Sequence, residues 1–503
     1  MVGTVGDWLH GRGLCEDASP VLEGAACSYS GQELCRLVGG AAARLRAEGV
    51  REGDRVAVLL PRGTDEVVQI LAVMAAGAIA VPIHTRLRDE QVAHVLSDAR
   101  PRLCVTAAAR QLALHDPGRA LGAVPLLEPL RDLDGTPGAG FSGSVGPADP
   151  AVILYTSGST GRAKGIVQTH GNLVSGAAVV RRYLGLQRSD RLLSLLSFSF
   201  DYGLNQLLTT LSARCHLTVA DHLGAGELAT LLRRHRPTGL AGVPSFWHEV
   251  AAGLATGVLS PEDGASVRFV TNSGGRLWPA DSARLRASWP HADVYAMYGL
   301  TEAFRSAFLP PAEFDEAPES FGYAVEGVEL LLVDVETGAV LEGPGQGELV
   351  HTGDLVAAGY WQHPEATARR FRPDPRGNAG TVVYTGDLVR RDDRGRHYFV
   401  ARLDRMMKVQ GHRVSPDEVA REASGTEGIG RVAVFGVADG PAGDRIVLVC
   451  EGDPDDASLL ARVTQRCRSR LPSYMQPREF RVLAALPHNA NGKVDEAALR
   501  GIL

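Results

Sequence analysis

The stretch Ala151–Gly165 reads AVILYTSGSTGRAKG. An apolar strand runs into a loop of Thr156, Ser157, Gly158, Ser159, Thr160 and Gly161, with Lys164 just beyond it. Glycines let backbone N–H groups approach an anion, hydroxyls add donors, and the lysine adds charge, so the segment is a phosphate cradle in kind. It is not the G-x-x-x-x-G-K-[ST] loop, because Ala163 precedes Lys164 and Gly165 follows it.

Upstream, helices and strands alternate. Ser30–Glu48 has helical spacing (Leu34, Leu37, Ala41, Leu45) and stops before Gly49. Arg55–Leu60 reads as a short strand, Glu66–Ala76 as a helix and Ala78–Ile83 as another strand. Such alternation implies parallel sheets covered on both faces. Asp134–Pro150, rich in Gly, Pro and Ser, reads as a loop, and alternation resumes at Ala151 and runs to about Met297. From Glu326 short strands with turns (Gly327–Val335, Glu348–Thr352) suggest a small β-subdomain. After Arg402 come a hairpin-like start, a helix from Ser415, strands Val432–Val437 and Arg445–Cys450, and a helix Ala457–Arg470. The expected fold class is α/β: a large N-terminal body of layered α/β sheets with a small β-subdomain (1–402), plus a small mobile C-terminal α+β domain (403–503).

With 503 residues, 45% hydrophobic and 22% charged, the chain has the composition of an ordinary multidomain globular protein. A formal charge of −6 gives no support to nucleic-acid binding. The sequence has no long uncharged apolar run for a membrane span, and Met1–Ser19, with Asp7, Glu16 and Asp17, does not resemble a signal peptide. Cys15, Cys27, Cys35, Cys104, Cys215, Cys450 and Cys467 are odd in number and lack a C-x-x-C pair. Reduced thiols in a cytoplasm are expected rather than a disulfide framework or a zinc site. Of 52 basic residues only three are lysine: Lys164, Lys408 and Lys493. Each sits among glycines and polar residues, where a compact point charge suits one reacting oxygen better than a planar guanidinium.

Further segments stand on either side: AGAIAVPIHTRL (Ala76–Leu87) upstream, and downstream Tyr298-Gly299-Leu300-Thr301-Glu302, Tyr384-Thr385-Gly386-Asp387, ARLDRMMKVQGHRVSPDEV (Ala401–Val419) and NGKVD (Asn491–Asp495). Together with YTSGSTGRAKG, and in this order over nearly the whole chain, they resemble the AMP-forming adenylating enzymes: acyl-CoA synthetases, amino-acid adenylation domains and luciferases. Ala163 stands where proline is common and Ala401 where glycine is common, and neither change removes a reacting group.

The resemblance implies an ATP- and Mg²⁺-dependent ligase that turns a carboxylic acid into an acyl-adenylate. The acyl group then passes to coenzyme A or to the phosphopantetheine arm of a carrier protein. Glu302 would hold Mg²⁺ and Thr301 the α-phosphate; Tyr298 would stack on adenine, with Gly274 beside the nucleotide. Asp387 would accept from the ribose hydroxyls and Arg402 would support the nucleotide. Lys493 would cancel repulsion between the attacking carboxylate and the α-phosphate. Asp404 would be a hinge that withdraws Lys493 and brings Lys408 to Arg413 inward, with Gly411 admitting the thiol arm. The acid pocket would draw on Asp201, Tyr202, Asn205, Ala241, Thr271, Ser273, Met297, Arg305 and Ser306. Asp201 could meet a substrate ammonium, pair with Arg305, or leave Arg305 to grip a second substrate carboxylate. No carrier sequence follows Leu503, so any carrier would act in trans, and Arg462, Arg466, Arg468, Arg470 and Arg478 offer either a dock for an acidic carrier or simply a solvated basic face. A plain acyl- or aryl-CoA ligase, a member without thiol transfer, an ATP-independent binding protein and a luciferase-like oxygenase remain open at this point.

Overall fold

The structure, a computed structural model, describes residues 3–11, 13–107, 124–129, 141–156, 163–221, 224–409, 412–439, 444–489 and 494–502. Ser157, Gly158, Ser159, Thr160, Gly161, Gly411 and Lys493 therefore lie outside the described residues, as does part of the loop expected over Asp134–Pro150.

By contact the chain forms two compact units, 1–330 with 351–383 and 331–350 with 384–503. Part of the β-subdomain, placed with the N-terminal body in the sequence reading, thus groups with the tail. The ladder that pairs Asp387–Arg391 with His397–Arg402 ties those strands to the segment that follows them.

The first unit holds two sheets. In one, Ile79–Pro82, Arg55–Leu59, Leu103–Thr106 and Leu126–Leu127 run parallel, and Pro150–Thr156 joins parallel to Ile79–Pro82. Lys164–Thr169 then returns antiparallel along Pro150–Thr156, and Gly359–Tyr360 closes that edge. In the other, nine strands include six in parallel succession: Asp293–Tyr298, Phe269–Asn272, Gly239–Gly242, Arg191–Ser194, His216–Val219 and Pro20–Glu23. Most of these strands are buried end to end, as parallel strands covered by helices must be.

Local chemistry sets the helix ends. Ser30 caps Gly31–Ala47: its hydroxyl accepts from Glu33 N–H at 3.2 Å, while Glu33 Oε2 accepts from Ser30 N–H at 2.8 Å. The helix buries Leu34, Leu37, Val38, Ala41 and Leu45, each large aliphatic contributing about 1.5–3 kcal/mol by leaving water.

The same helix carries a correction. Cys35 on its buried face is disulfide-bonded to Cys15, with Cα atoms 5.3 Å apart, so the expectation of reduced thiols throughout fails. The count and spacing of cysteines carried no sign of it, because the loop after the first helix brings Cys15 back from 20 residues away. Cys27, Cys104, Cys215, Cys450 and Cys467 are free thiols. Among the described residues no helix is long and apolar enough to cross a membrane.

In the second unit, Met407–Val409 and His412–Val414 form the expected hairpin, and Ser415 caps the helix Pro416–Ala423. Val432–Ala438, Asp444–Glu451 and Glu479–Leu483 make a three-stranded sheet. The helix Ala457–Arg470 buries Leu459, Val463 and Cys467 in a core shared with Val419 and Leu448.

Candidate active site

The expected phosphate loop joins two antiparallel strands, with Thr156 opposite Lys164 and Tyr155 opposite Gly165. Gly165 has a packing reason to be glycine: a Cβ would lie 2.5 Å from Ile153 Cγ2. Lys164 leaves this hairpin with its ammonium 5.6 Å from the centre of the Tyr360 ring.

Tyr360 continues the line, because its hydroxyl donates to Glu302 Oε1 at 2.6 Å. Glu302 lies in the short turn Thr301–Ala303 that follows the strand Asp293–Tyr298, and Gln168 donates to the Thr301 carbonyl. Among the described residues no group of three acidic, His or Cys side chains forms a metal cage. The Glu302 carboxylate is a donor that fits Mg²⁺, which is commonly held by one or two carboxylates plus phosphate oxygens and water. Tyr298 stacks on Phe321, centroids 4.5 Å apart and planes at 23°, which fixes the ring proposed to meet adenine. Gly274 takes φ +82°, a left-handed turn conformation glycine adopts without strain.

Behind the same strand lies the expected acid pocket. Tyr202, Asn205, Ala241, Thr271 and Met297 line one cavity of about 20 Å³, together with Leu192 and Phe269. Ser273 and Ser306 are buried nearby in sequence to these strands, and neither lines it. Tyr202 and Thr271 share a hydroxyl–hydroxyl hydrogen bond, and burial pushes the Tyr202 phenol well up. Asp201 opens the helix Asp201–Ala213, where a carboxylate is favoured by the helix dipole, and its Oδ1 accepts from Tyr202 N–H at 2.7 Å.

Arg305 is buried, with Cζ 4.7 Å from the Tyr202 ring centre. Among the described residues its Nε and Nη2 have no hydrogen-bond partner, so the Asp201–Arg305 pair considered from sequence is not made through them. Its position is fixed by the backbone. Phe304 before it has φ +38°, a conformation that costs about 1–3 kcal/mol and persists only where surroundings enforce it. His351 bonds the Arg305 carbonyl at 3.1 Å; burial drives the imidazole pKa down to about 4, so the neutral ring donates from Nε2.

In the second unit, Asp387 and Arg402 face each other across two strands, and Arg402 Nη1 donates to Asp387 Oδ1 at 2.7 Å. The other edge of the same guanidinium grips Asp404, Nε to Oδ1 at 3.2 Å and Nη2 to Oδ2 at 3.1 Å. Lys408 is exposed on its strand, its backbone N–H donating to Asp444. Of the expected basic dock, Arg462 pairs with Asp456 at 2.9 Å and Arg466 donates to the Glu422 carbonyl, while Arg468 and Arg470 are exposed.

Tyr360, Phe321, His351 and Phe304 were not singled out in the sequence. The aromatic pair Tyr360-Trp361 after Gly359 was the one available signal, and only the pairing of Gly359–Tyr360 with Val167–Ile166 gives it meaning.

The ordered motifs, with Lys164, Tyr360 and Glu302 in one line, belong to an adenylate-forming enzyme. The chain belongs to the AMP-binding enzyme family: residues 15–361 match the AMP-binding enzyme domain and 421–493 its C-terminal domain. It is 32% identical over 492 residues to an L-proline–[L-prolyl-carrier protein] ligase of Streptomyces coelicolor, covering 92% of this chain and 90% of that protein. It is 31% identical over 466 residues to a linear gramicidin synthase of Brevibacillus parabrevis, covering 91% of this chain but only 6% of that protein. Among solved structures, ATP-bound MatB from Rhodopseudomonas palustris is similar with a TM-score of 0.89 and 27% identity, over 99% of this chain and 98% of that one.

Proposed function

We propose that this chain condenses a small, polar carboxylic acid with ATP, releasing pyrophosphate, and then passes the acyl group to a thiol with release of AMP. The observation that carries the reading is the line Lys164–Tyr360–Glu302, which brings a cation and a carboxylate to one phenol. Bound Mg²⁺, held at Glu302, would neutralise charge on the ATP phosphates. Thr301 would donate to the α-phosphate, and the segment between Thr156 and Lys164 would cradle the phosphates. Lys493 is assigned the gap between the two reacting anions.

The acid is read as small, since a cavity of about 20 Å³ holds about one water and no aliphatic chain. An amino group set against Asp201 accords with the resemblance to a prolyl-carrier protein ligase. The acceptor is a phosphopantetheine thiol, on a free-standing carrier or on coenzyme A, and such a reaction suits the cytoplasm. A domain boundary at 402/403 with Asp404 as hinge serves the second half-reaction, when Lys408 and Gly411 replace Lys493 at the site. The test is acid-dependent ATP–pyrophosphate exchange over amino, hydroxy, aryl and fatty acids, followed by thiol transfer from the best acid.

A further inference from the structure

Besides the Tyr360 ring, Lys164 borders an open cavity of about 420 Å³, lined also by His94, Ser97, Asp98, Arg100 and His363. A single water needs only ~10–15 Å³, so there is room for a small polyatomic ion and its hydration. These residues all belong to the first unit. His94 Nε2 donates to the Ala163 carbonyl at 2.7 Å, which pins the helix Asp89–Ala99 to the residue before Lys164.

The charge on these walls is unbalanced. Among the described residues Asp98 is the one carboxylate lining the cavity, and both its oxygens are engaged. Oδ2 accepts from the Tyr155 hydroxyl at 2.6 Å, and Oδ1 lies 3.3 Å from His363 Nε2. The negative end of the helix is offset too, because Arg55 Nε and Nη2 donate to the Ala99 and Arg100 carbonyls at 3.1 and 2.9 Å. The half-buried Lys164 ammonium and the exposed Arg100 guanidinium, by contrast, have no hydrogen bond or ion pair among the described residues. Gln362, on the same wall, holds φ +54°, a left-handed backbone that a residue with a Cβ adopts only where its surroundings enforce it.

Two cations without counter-ions beside a void make an anion site, and Lys164 says which anion. It borders both this cavity and the Tyr360–Glu302 line, so an anion set free near Glu302 meets the cavity through that lysine. A diphosphate, with several acceptor oxygens and more than one negative charge, suits two cations.

We propose that this cavity is a release site for pyrophosphate, which leaves the nucleotide by way of Lys164 and is held between Lys164 and Arg100 before it diffuses away. The proposal rests on the adenylation reading and adds to it a site whose walls, Lys164 apart, lie outside the phosphate cradle.

The experiment uses three variants of the cavity wall. Arg100→Asn keeps the left-handed turn, which asparagine tolerates. Ser97→Asp and Ser97→Arg put opposite charges at an exposed position. In ATP–pyrophosphate exchange, Arg100→Asn should raise KM for pyrophosphate about 3- to 10-fold, the range for losing one solvent-screened hydrogen bond to a charged group. Ser97→Asp should raise it and Ser97→Arg lower it, opposite shifts that misfolding does not produce. KM for ATP and for the acid, read from acyl-adenylate formation with pyrophosphatase present, should stay at the wild-type values. An unmoved pyrophosphate KM, or Ser97 variants that shift it in the same direction, overturns the proposal. An equal rise in KM for ATP overturns it as well, because the cavity then holds the outer phosphates of ATP. If no acid supports exchange, the adenylation reading fails, and calorimetric titration of the full chain with Mg²⁺ and pyrophosphate decides the proposal alone. Binding that weakens in Arg100→Asn and Ser97→Asp supports it; no binding, or equal binding in every variant, refutes it.

Discussion

Tyr360 donates its hydroxyl to Glu302 across 58 residues of sequence, at 2.6 Å. The bond fixes Oε1 and so aims the other carboxylate oxygen. Because a hydrogen bond to a charged group contributes ~1.5–3 kcal/mol, Tyr360→Phe should raise the Mg²⁺ concentration for half-maximal exchange by roughly 10-fold or more. A Mg²⁺ titration checks this, and an unchanged midpoint would remove Tyr360 from the metal-holding arrangement.

Much of this architecture was legible in the sequence, because helix and strand periods, caps and glycine turns are local. The helical spacing that begins at Ser30 and the hairpin before Ser415 are examples. The site was legible through short ordered motifs, but only as separate points. That Arg402 bonds both Asp387 and Asp404 depends on strand register, which no pentapeptide carries. The disulfide Cys15–Cys35 and the orphaned edge of Arg305 are likewise products of long-range packing. The sequence named Arg305, but whether it paired with Asp201 could be asked only with both side chains in place.

Removing Lys493 should separate the two half-reactions. Lys493→Ala is expected to cut adenylation by at least ~10²–10³-fold, the usual cost of losing one preorganised charge-stabilising donor. Thioester formation from supplied acyl-adenylate should largely survive. Equal losses in both steps would make Lys493 structural.

Asp404→Pro should have the opposite effect, since proline fixes φ at a position proposed to change its dihedrals. Adenylate should form and thiol transfer should collapse. Asp404→Ala is the control: it releases only a partly exposed pair with Arg402, worth ~1 kcal/mol at most, and should transfer at near the wild-type rate. Normal transfer by the proline variant would refute the hinge.

Glu66 gives a pH signature independent of catalysis. Burial pushes its carboxyl up to about 8, with Arg62 only partly offsetting the shift. Between the unfolded value of ~4.3 and about 8 the native state holds the extra proton, so this group makes stability fall as pH rises through that window. Glu66→Gln should remove a slope of up to ~1.4 kcal/mol per pH unit, measured by urea unfolding from about pH 5 to about pH 8. Identical pH slopes in variant and wild type would place Glu66 in a better-solvated setting.

The central claim, that this chain joins a carboxylic acid to AMP, is tested most directly by exchange of labelled pyrophosphate into ATP with and without added acid. The account predicts exchange that requires both Mg²⁺ and a small polar acid, saturates with that acid, and disappears in Lys493→Ala. Exchange that proceeds without acid, or none with any acid while ATP still binds, would contradict it.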